Sequence, residues 1–245
     1  MKLAVGDGRA ATIDTTALVD LARDLAWAER ARGQRLVAHL HLGTDGDGPP
    51  QVRDVLARAP LPGRFVITHC NWTSVSLAAA TDFVADGAYA DVTTLLDPEH
   101  GVDGAVRPAD AVARLLDRGT DASHVSMSTD GNGHVPAQAG DGWEPYDPLM
   151  HTLLAQVRAL VTDHGADKVT ALRTVTGTPA TALGIEQRKG RIAPGADADL
   201  LLLDQEMRAV GVYCRGREMV WNGQPVVRDP FEVRRATGGS IAHAG

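Results

Sequence analysis

The chain has 245 residues, 44% of them hydrophobic and only 4% aromatic, enough for one domain or one and a half with a core built on Ala, Val and Leu. A formal net charge of −7 and the lack of a basic stripe argue against a nucleic-acid footprint. Cys70 and Cys214 make neither a disulfide framework nor a C-x-x-C metal pair, and the N-terminal apolar run is too short for a signal peptide or a membrane span, so a reduced cytoplasmic setting is expected.

In chain order, a short apolar run opens at Lys2, followed by a helical pattern over 15–33 that begins with threonines able to cap and ends in glycine. Apolar runs rich in β-branched residues at 34–43 and 63–70 read as strands, with two more at 88–96 and 122–130. Each is nearly continuous in hydrophobicity, as strands covered on both faces should be. Helical patterns at 73–87 and 107–119 separate them, the second with Pro108 near its first turn and Gly119 past its end. A Gly- and Pro-rich loop follows Asp130, then a long amphipathic helix over 146–165 and shorter ones at 166–175 and 178–184. Alternation of strand and helix predicts a parallel sheet with helices outside it. The stretch 190–229 instead shows short strands and turns at Pro194-Gly195 and Asn222-Gly223, the pattern of a small β unit. The predicted domains are 1–186, 187–232 and a mobile tail over 233–245.

Polar residues fall at the predicted strand ends, where parallel α/β folds place their chemistry. His41 ends the second strand, His69 the third and Asp130 the last, while Lys2 opens the first run. Either histidine alone is more often a hydrogen-bonded core residue, and the Asp of "STDGNG" could merely start a turn. Their joint occurrence favours ligands for one or two divalent metals, which bring the pKa of bound water to about 7. A neighbouring carboxylate can then take a proton and pass it to the leaving amine. "TDGDG" (44–48) lacks the closing glutamate of a calcium loop.

The order H-x-G after one strand, "THCN" after the next and "STDGNG" two units later resembles the isoaspartyl dipeptidases of the amidohydrolase superfamily. "TVTGTPATALGI" (174–185) and "GRIAPGADADLLLLD" (190–204) resemble that superfamily's closing segment, and the likeness runs from 1 to about 232. It implies a zinc-dependent enzyme that cleaves the isopeptide bond of β-aspartyl dipeptides with a metal-bound hydroxide. By the same resemblance Lys2 is a carbamate bridging two zinc ions, His41 and His69 bind one ion, and Asp130 binds the other and shuttles the proton. Arg9 matches an arginine that reads a substrate carboxylate. Two departures touch the substrate: Trp72 stands where the family has an arginine, and His134 where a serine is expected. Trp72 could instead be a packing residue of its loop.

Spacing places the resemblance within the fold. His69 lies 28 residues after His41, one strand-helix unit, and Asp130 lies 61 after His69, two units. The superfamily barrel carries lysine on strand four, histidines on five and six, and aspartate on eight. The expected architecture is therefore α/β, a partial TIM (β/α)8 barrel of strands 4–8 followed by a small β-sandwich portion. His39-Leu40-His41 mimics the first-strand H-x-H motif, but too few strands follow it for a closed barrel. His39 then faces the same way as His41, one layer deeper. The first-strand histidine ligands would be absent, and a half barrel with an open edge is expected to be poorly stable and weakly active alone. Two other readings stand beside the dipeptidase: a hydrolase of another small amide, with Trp72 and His134 reshaping the pocket, and a non-catalytic remnant that folds only with a partner. The expected partners are a small dipeptide-like substrate and further copies in a homo-oligomer, with no nucleic acid and no membrane.

Overall fold

The computed structural model describes residues 1–10, 13–131 and 150–227, together with the backbone of two short strands between 136 and 145. It divides into two compact units, Met1–Ala196 and Asp197–Gly245.

In the first unit, five strands form one sheet: β1 (Lys2–Val5), β2 (Ala38–Leu42), β3 (Phe65–Thr68), β4 (Tyr89–Thr93) and β5 (Val125–Ser128), in the order β1-β2-β3-β4-β5. All four pairings are parallel. Four helices alternate with them: α1 (Thr15–Arg32), α2 (Gly48–Arg58), α3 (Ser74–Ala85) and α4 (Pro108–Asp117). The sheet has two chemically distinct faces, because successive side chains alternate. One face carries Leu40, Leu42, Phe65, Ile67, Ala90, Val92, Val125 and Met127, all buried. On the other, register sets His41 beside Thr68 and Asp91 beside Ser126, with Thr93 beside Ser128. This second face is therefore polar toward the strand ends. Its start is closed by an apolar cluster of Val66, Tyr89 and Ala182, with Val37 against it.

Local chemistry sets the helix ends. α1 is capped by Asp14, whose carboxylate accepts from the Ala17 N–H, and not by the threonines that follow it. Thr73 caps α3 in the same way, through Ser76 N–H. Helix α2 has no counterpart among the helices expected from sequence. It opens on "GPP", and paired prolines after a D-G turn read as loop, yet Pro suits the first helical turn, whose N–H groups are unbonded anyway. Val52, Val55 and Leu56 then give it a buried stripe.

After β5 come two paired antiparallel strands, β6 (Pro136–Ala139) and β7 (Gly142–Pro145), and three helices, α5 (Thr152–Thr162), α6 (Lys168–Arg173) and α7 (Gly177–Leu183). The helix expected over 146–165 is thus shorter. Residues 146–149 lie outside the described residues, as does the tail from 228, and Gly165 turns the chain after α5 with φ +66°. Thr174, after α6, accepts from Met127 N–H on β5 at 3.1 Å and so ties the helices to the sheet.

The second unit is an antiparallel sheet of β8 (Leu200–Leu203), β9 (Ala209–Cys214), β10 (Arg217–Trp221) and β11 (Gln224–Pro225). The expected turn at Asn222-Gly223 joins β10 to β11, with both residues at positive φ as a two-residue hairpin requires. Among the described residues no helix is long and apolar enough to cross a membrane.

Candidate active site

Lys2 opens β1, His41 lies within β2, and His69 and Asp130 follow β3 and β5; the sheet brings the four side chains to one place. The Lys2 ammonium lies 3.6 Å from Asp130 Oδ1, and His69 Nε2 lies 3.9 Å from Asp130 Oδ2. The rings of His41 and His69 meet edge to face with centroids 4.3 Å apart. His69 and Asp130 are non-glycine residues in the left-handed region, at φ +66° and +53°. Such backbone costs on the order of 1–3 kcal/mol, persists only where packing imposes it, and gathers at functional sites.

His69 is buried, and its Nδ1 shares a 2.7 Å hydrogen bond with the Thr93 hydroxyl. That bond fixes the ring and turns Nε2 toward Asp130, where Nε2 has no hydrogen-bond partner. His41 Nε2 is likewise buried and unpartnered: Asp7 Oδ2 approaches it to 3.0 Å but without hydrogen-bonding geometry. Burial holds both imidazoles below their ordinary pKa, aided at each by the nearby Lys2 charge and at His69 also by the mutual exclusion of a second charge on His41. Both are therefore neutral at pH 7, the form that binds metals.

This shift has a stability consequence. The unfolded chain takes protons on these histidines near their ordinary value of 6.5, whereas the folded chain resists them. Stability falls as pH drops below that value and continues to fall until the folded histidines titrate. Melting temperatures should be lower at about pH 5 than at about pH 7.5, and the gap should shrink in His69→Gln. Asp91 acts in the opposite sense, because burial raises its pKa, but it does so equally in both proteins.

Arg9 does not stand free. Its Nε and Nη2 donate to Asp7 Oδ1 and Oδ2 at 2.9 and 2.8 Å, and its backbone N–H donates to Asp7 Oδ1 at 3.0 Å. Its guanidinium carbon sits 5.3 Å from the centre of the Trp72 ring. Trp72 packs on Leu95, Leu96, Val102 and Ala105 and also meets both His41 and His69 edge to face. Trp72 is thus both a packing residue and a wall of the site. His134 lies outside the described residues.

Three residues absent from the sequence reading hold the site together. Asp7 sits in "VGDGR" directly after β1, and its neighbour glycines were the available signal. Thr93 orients His69. Asp91 is buried on the polar face and accepts from Thr68 Oγ1, Ser126 Oγ and Ser128 Oγ at 2.7, 2.7 and 2.6 Å. Burial raises its pKa against the pull of these three donors. It lines a cavity of about 430 Å³ with Lys2, His39, Ser126 and Ser128. His39 faces the same way as His41, and burial, opposed by the Asp91 charge, lowers its pKa. A lone Asp in the apolar strand "AYADVTT" was the signal for Asp91.

Among the described residues, no three His, Cys, Asp or Glu side chains are arranged to hold a metal ion by themselves. The two imidazole nitrogens nevertheless fit one, since both Nε2 atoms are buried and make no hydrogen bond, with carboxylates nearby at 3.0 Å (Asp7 to His41) and 3.9 Å (Asp130 to His69). Completing the ligand set calls on Lys2 or Asp130.

Comparison with known proteins bears on the fold and the family. The solved β-aspartyl dipeptidase from Fervidobacterium islandicum AW-1, in complex with β-Asp-Leu dipeptide, matches with a TM-score of 0.79 at 22% identity, over 94% of this chain and 59% of that one. An atrazine chlorohydrolase from Arthrobacter aurescens TC1, complexed with zinc, matches with a TM-score of 0.56 at 17% identity, over 93% of this chain and 51% of that one. These likenesses are of fold. The N-acetylglucosamine-6-phosphate deacetylase of Bos taurus is 38% identical over 65 residues, 26% of this chain and 16% of that protein. The chain thus spans little more than half the length of these solved structures and a smaller share of the curated relative. Residues 6–227, most of the chain, match the Amidohydrolase family, and the chain belongs to that family.

Proposed function

We propose that this chain carries the metal-dependent hydrolytic half of a β-aspartyl dipeptidase. The single observation behind the reading is the pair of buried Nε2 atoms of His41 and His69 that make no hydrogen bond, gathered with Lys2 and Asp130 on one side of the parallel sheet. The five strands correspond in this reading to strands 4–8 of the family barrel, and the second unit to part of its β-sandwich. His41 and His69 would hold one zinc ion, with Lys2, as a carbamate, and Asp130 reaching a second. A bound divalent metal supplies Lewis acidity and lowers the pKa of water to about 7.

The chain's own residues carry the proton and the substrate. Asp130 takes the proton of the attacking water and returns it to the leaving amine, so no net proton is held at the end of the cycle. Thr93 keeps the His69 ring from turning its Nε2 away. Arg9 reads a substrate carboxylate with the part of its guanidinium that Asp7 leaves open.

With zinc supplied, the full chain should hydrolyse β-Asp-Leu and leave α-Asp-Leu intact. A chelator should abolish the activity, and His41→Gln or His69→Gln should weaken zinc binding by about tenfold or more, read by metal analysis after dialysis. Zinc retention with no cleavage of any dipeptide would overturn the dipeptidase reading. A second reading, hydrolysis of another small amide, is favoured by Trp72, which gives the pocket an aromatic wall. Turnover of N-acyl amino acids in preference to β-Asp-Leu would establish it.

A further inference from the structure

We infer that Asp7 is a positioning residue that aims Arg9 as a pre-set carboxylate receptor. The inference rests on the proposed reading only in placing a carboxylate-bearing small molecule in this site. A guanidinium has five N–H donors on two usable edges. Asp7 occupies the lateral edge, Nε and Nη2, and also takes the Arg9 backbone N–H. The guanidinium also sits over the Trp72 ring, 5.3 Å from its centre. The terminal edge is left over, made of Nη1 and the second Nη2 hydrogen, and the side chain is 57% exposed although its Asp7 partner is only 9% exposed. A two-pronged donor edge on a largely exposed guanidinium, anchored by Asp7 and set over the Trp72 ring that also meets His41 and His69, matches a carboxylate.

The loop that carries Asp7 is itself held rigidly. Gly6 has φ +59°, and a Cβ there would lie 2.6 Å from Gly48 Cα. A Cβ on Gly43 would lie 2.1 Å from Gly6 O. The loops leaving β1 and β2 therefore touch backbone to backbone, and Asp7 cannot drift without displacing the start of α2. The charge of Asp7 also sets the preference of the receptor. Its carboxylate is held well below the ordinary range, chiefly by the Arg9 hydrogen bonds, so the pair is fully ionised at neutral pH. Ordering the guanidinium beforehand removes the rotamer cost that a free arginine incurs on binding.

The test is a ligand pair that differs only in the charged group. N-acetylglycine and its neutral amide, N-acetylglycinamide, are titrated into the full chain while the arginine Nε–H region of the nitrogen–proton spectrum is followed, with Arg9 assigned by its loss in Arg9→Lys. In the parent protein the acid should bind more tightly than the amide and shift the Arg9 Nε–H signal. In Asp7→Asn the acid should weaken by about tenfold, the worth of one charge-assisted hydrogen bond, while the amide is unchanged. Arg9→Lys should lose the preference too, since an ammonium has no second edge. An equal loss for acid and amide in Asp7→Asn, or no loss for either, would sink the inference. A parent protein that binds both alike would sink it as well. Asp7-dependent acid binding without β-Asp-Leu turnover would retain the positioning role and discard the dipeptidase. Turnover that ignores Asp7 would do the reverse.

Discussion

Asp130→Asn is expected to lower kcat/KM for the hydrolysed amide by about 10²- to 10⁴-fold while leaving the fold in place. The substitution keeps the side-chain shape but removes the proton acceptor, together with the negative charge that faces Lys2 and would help hold a metal. Asn tolerates the left-handed backbone that Asp130 adopts at φ +53°, so the loop after β5 need not rearrange. Asp130 is also only partly buried, and its approach to the Lys2 ammonium is 3.6 Å across an exposed gap, so little stability depends on it. Melting temperature should stay within a degree or two, while turnover collapses. Steady-state kinetics of purified variant and parent under saturating zinc decide the matter. A loss smaller than about fivefold would remove Asp130 from the proton path.

Asp91→Ala is expected to have the largest effect on stability, about 3–5 kcal/mol, read as a lower urea midpoint. Asp91 accepts from Thr68 of β3 and from Ser126 and Ser128 of β5, and all three hydroxyls lose their acceptor at once. Unsatisfied buried groups cost about 1–3 kcal/mol each, and the hydroxyls can recover part of this by rotating. Asp91→Asn should cost much less, because the amide keeps one acceptor oxygen and rotatable hydroxyls can accept from its NH₂. The loss should reach the site as well. Thr68 immediately precedes His69, and Ser128 lies two residues before Asp130. A midpoint shift worth less than about 1 kcal/mol in Asp91→Ala would show that the network is slack.

Much of the parallel sheet was legible because its strands are apolar runs of the right length bounded by turn residues. β3 and β4 are buried at every position, and their sequences "FVIT" and "YADVT" say so except for Asp91. Helix α2 was hidden by Pro49-Pro50, which read as loop unless one knows that they fall in a first helical turn. That His41, His69 and Asp130 come close together was legible because strand ends are places that can be counted along the chain. Asp7 could not, since its role depends on a side chain two residues away folding back and on the glycine contact between loops. Thr93 was invisible for a similar reason: a strand threonine has many uses, and only the 2.7 Å approach to His69 selects one. Arg9 was singled out from sequence for a substrate carboxylate, whereas its engagement with Asp7 is a matter of three-dimensional proximity.

The alternation along β2 to β5 divides labour between neighbours in the chain. Phe65 and Ile67 lie under the helices, whereas Thr68, one residue on, faces the polar side, and Val92 lies between Asp91 and Thr93 in the same manner. Changes to the inward residues at 39, 41, 93 and 126 should therefore combine with changes in the helix-facing layer with near-additive free energies, since the two sets share few contacts. Such a sheet lets new chemistry be tried on one side while the other goes on supplying the fold. Asp91 is the exception, because its hydroxyl partners couple three strands, and diversity introduced there would be filtered first by folding and only then by activity.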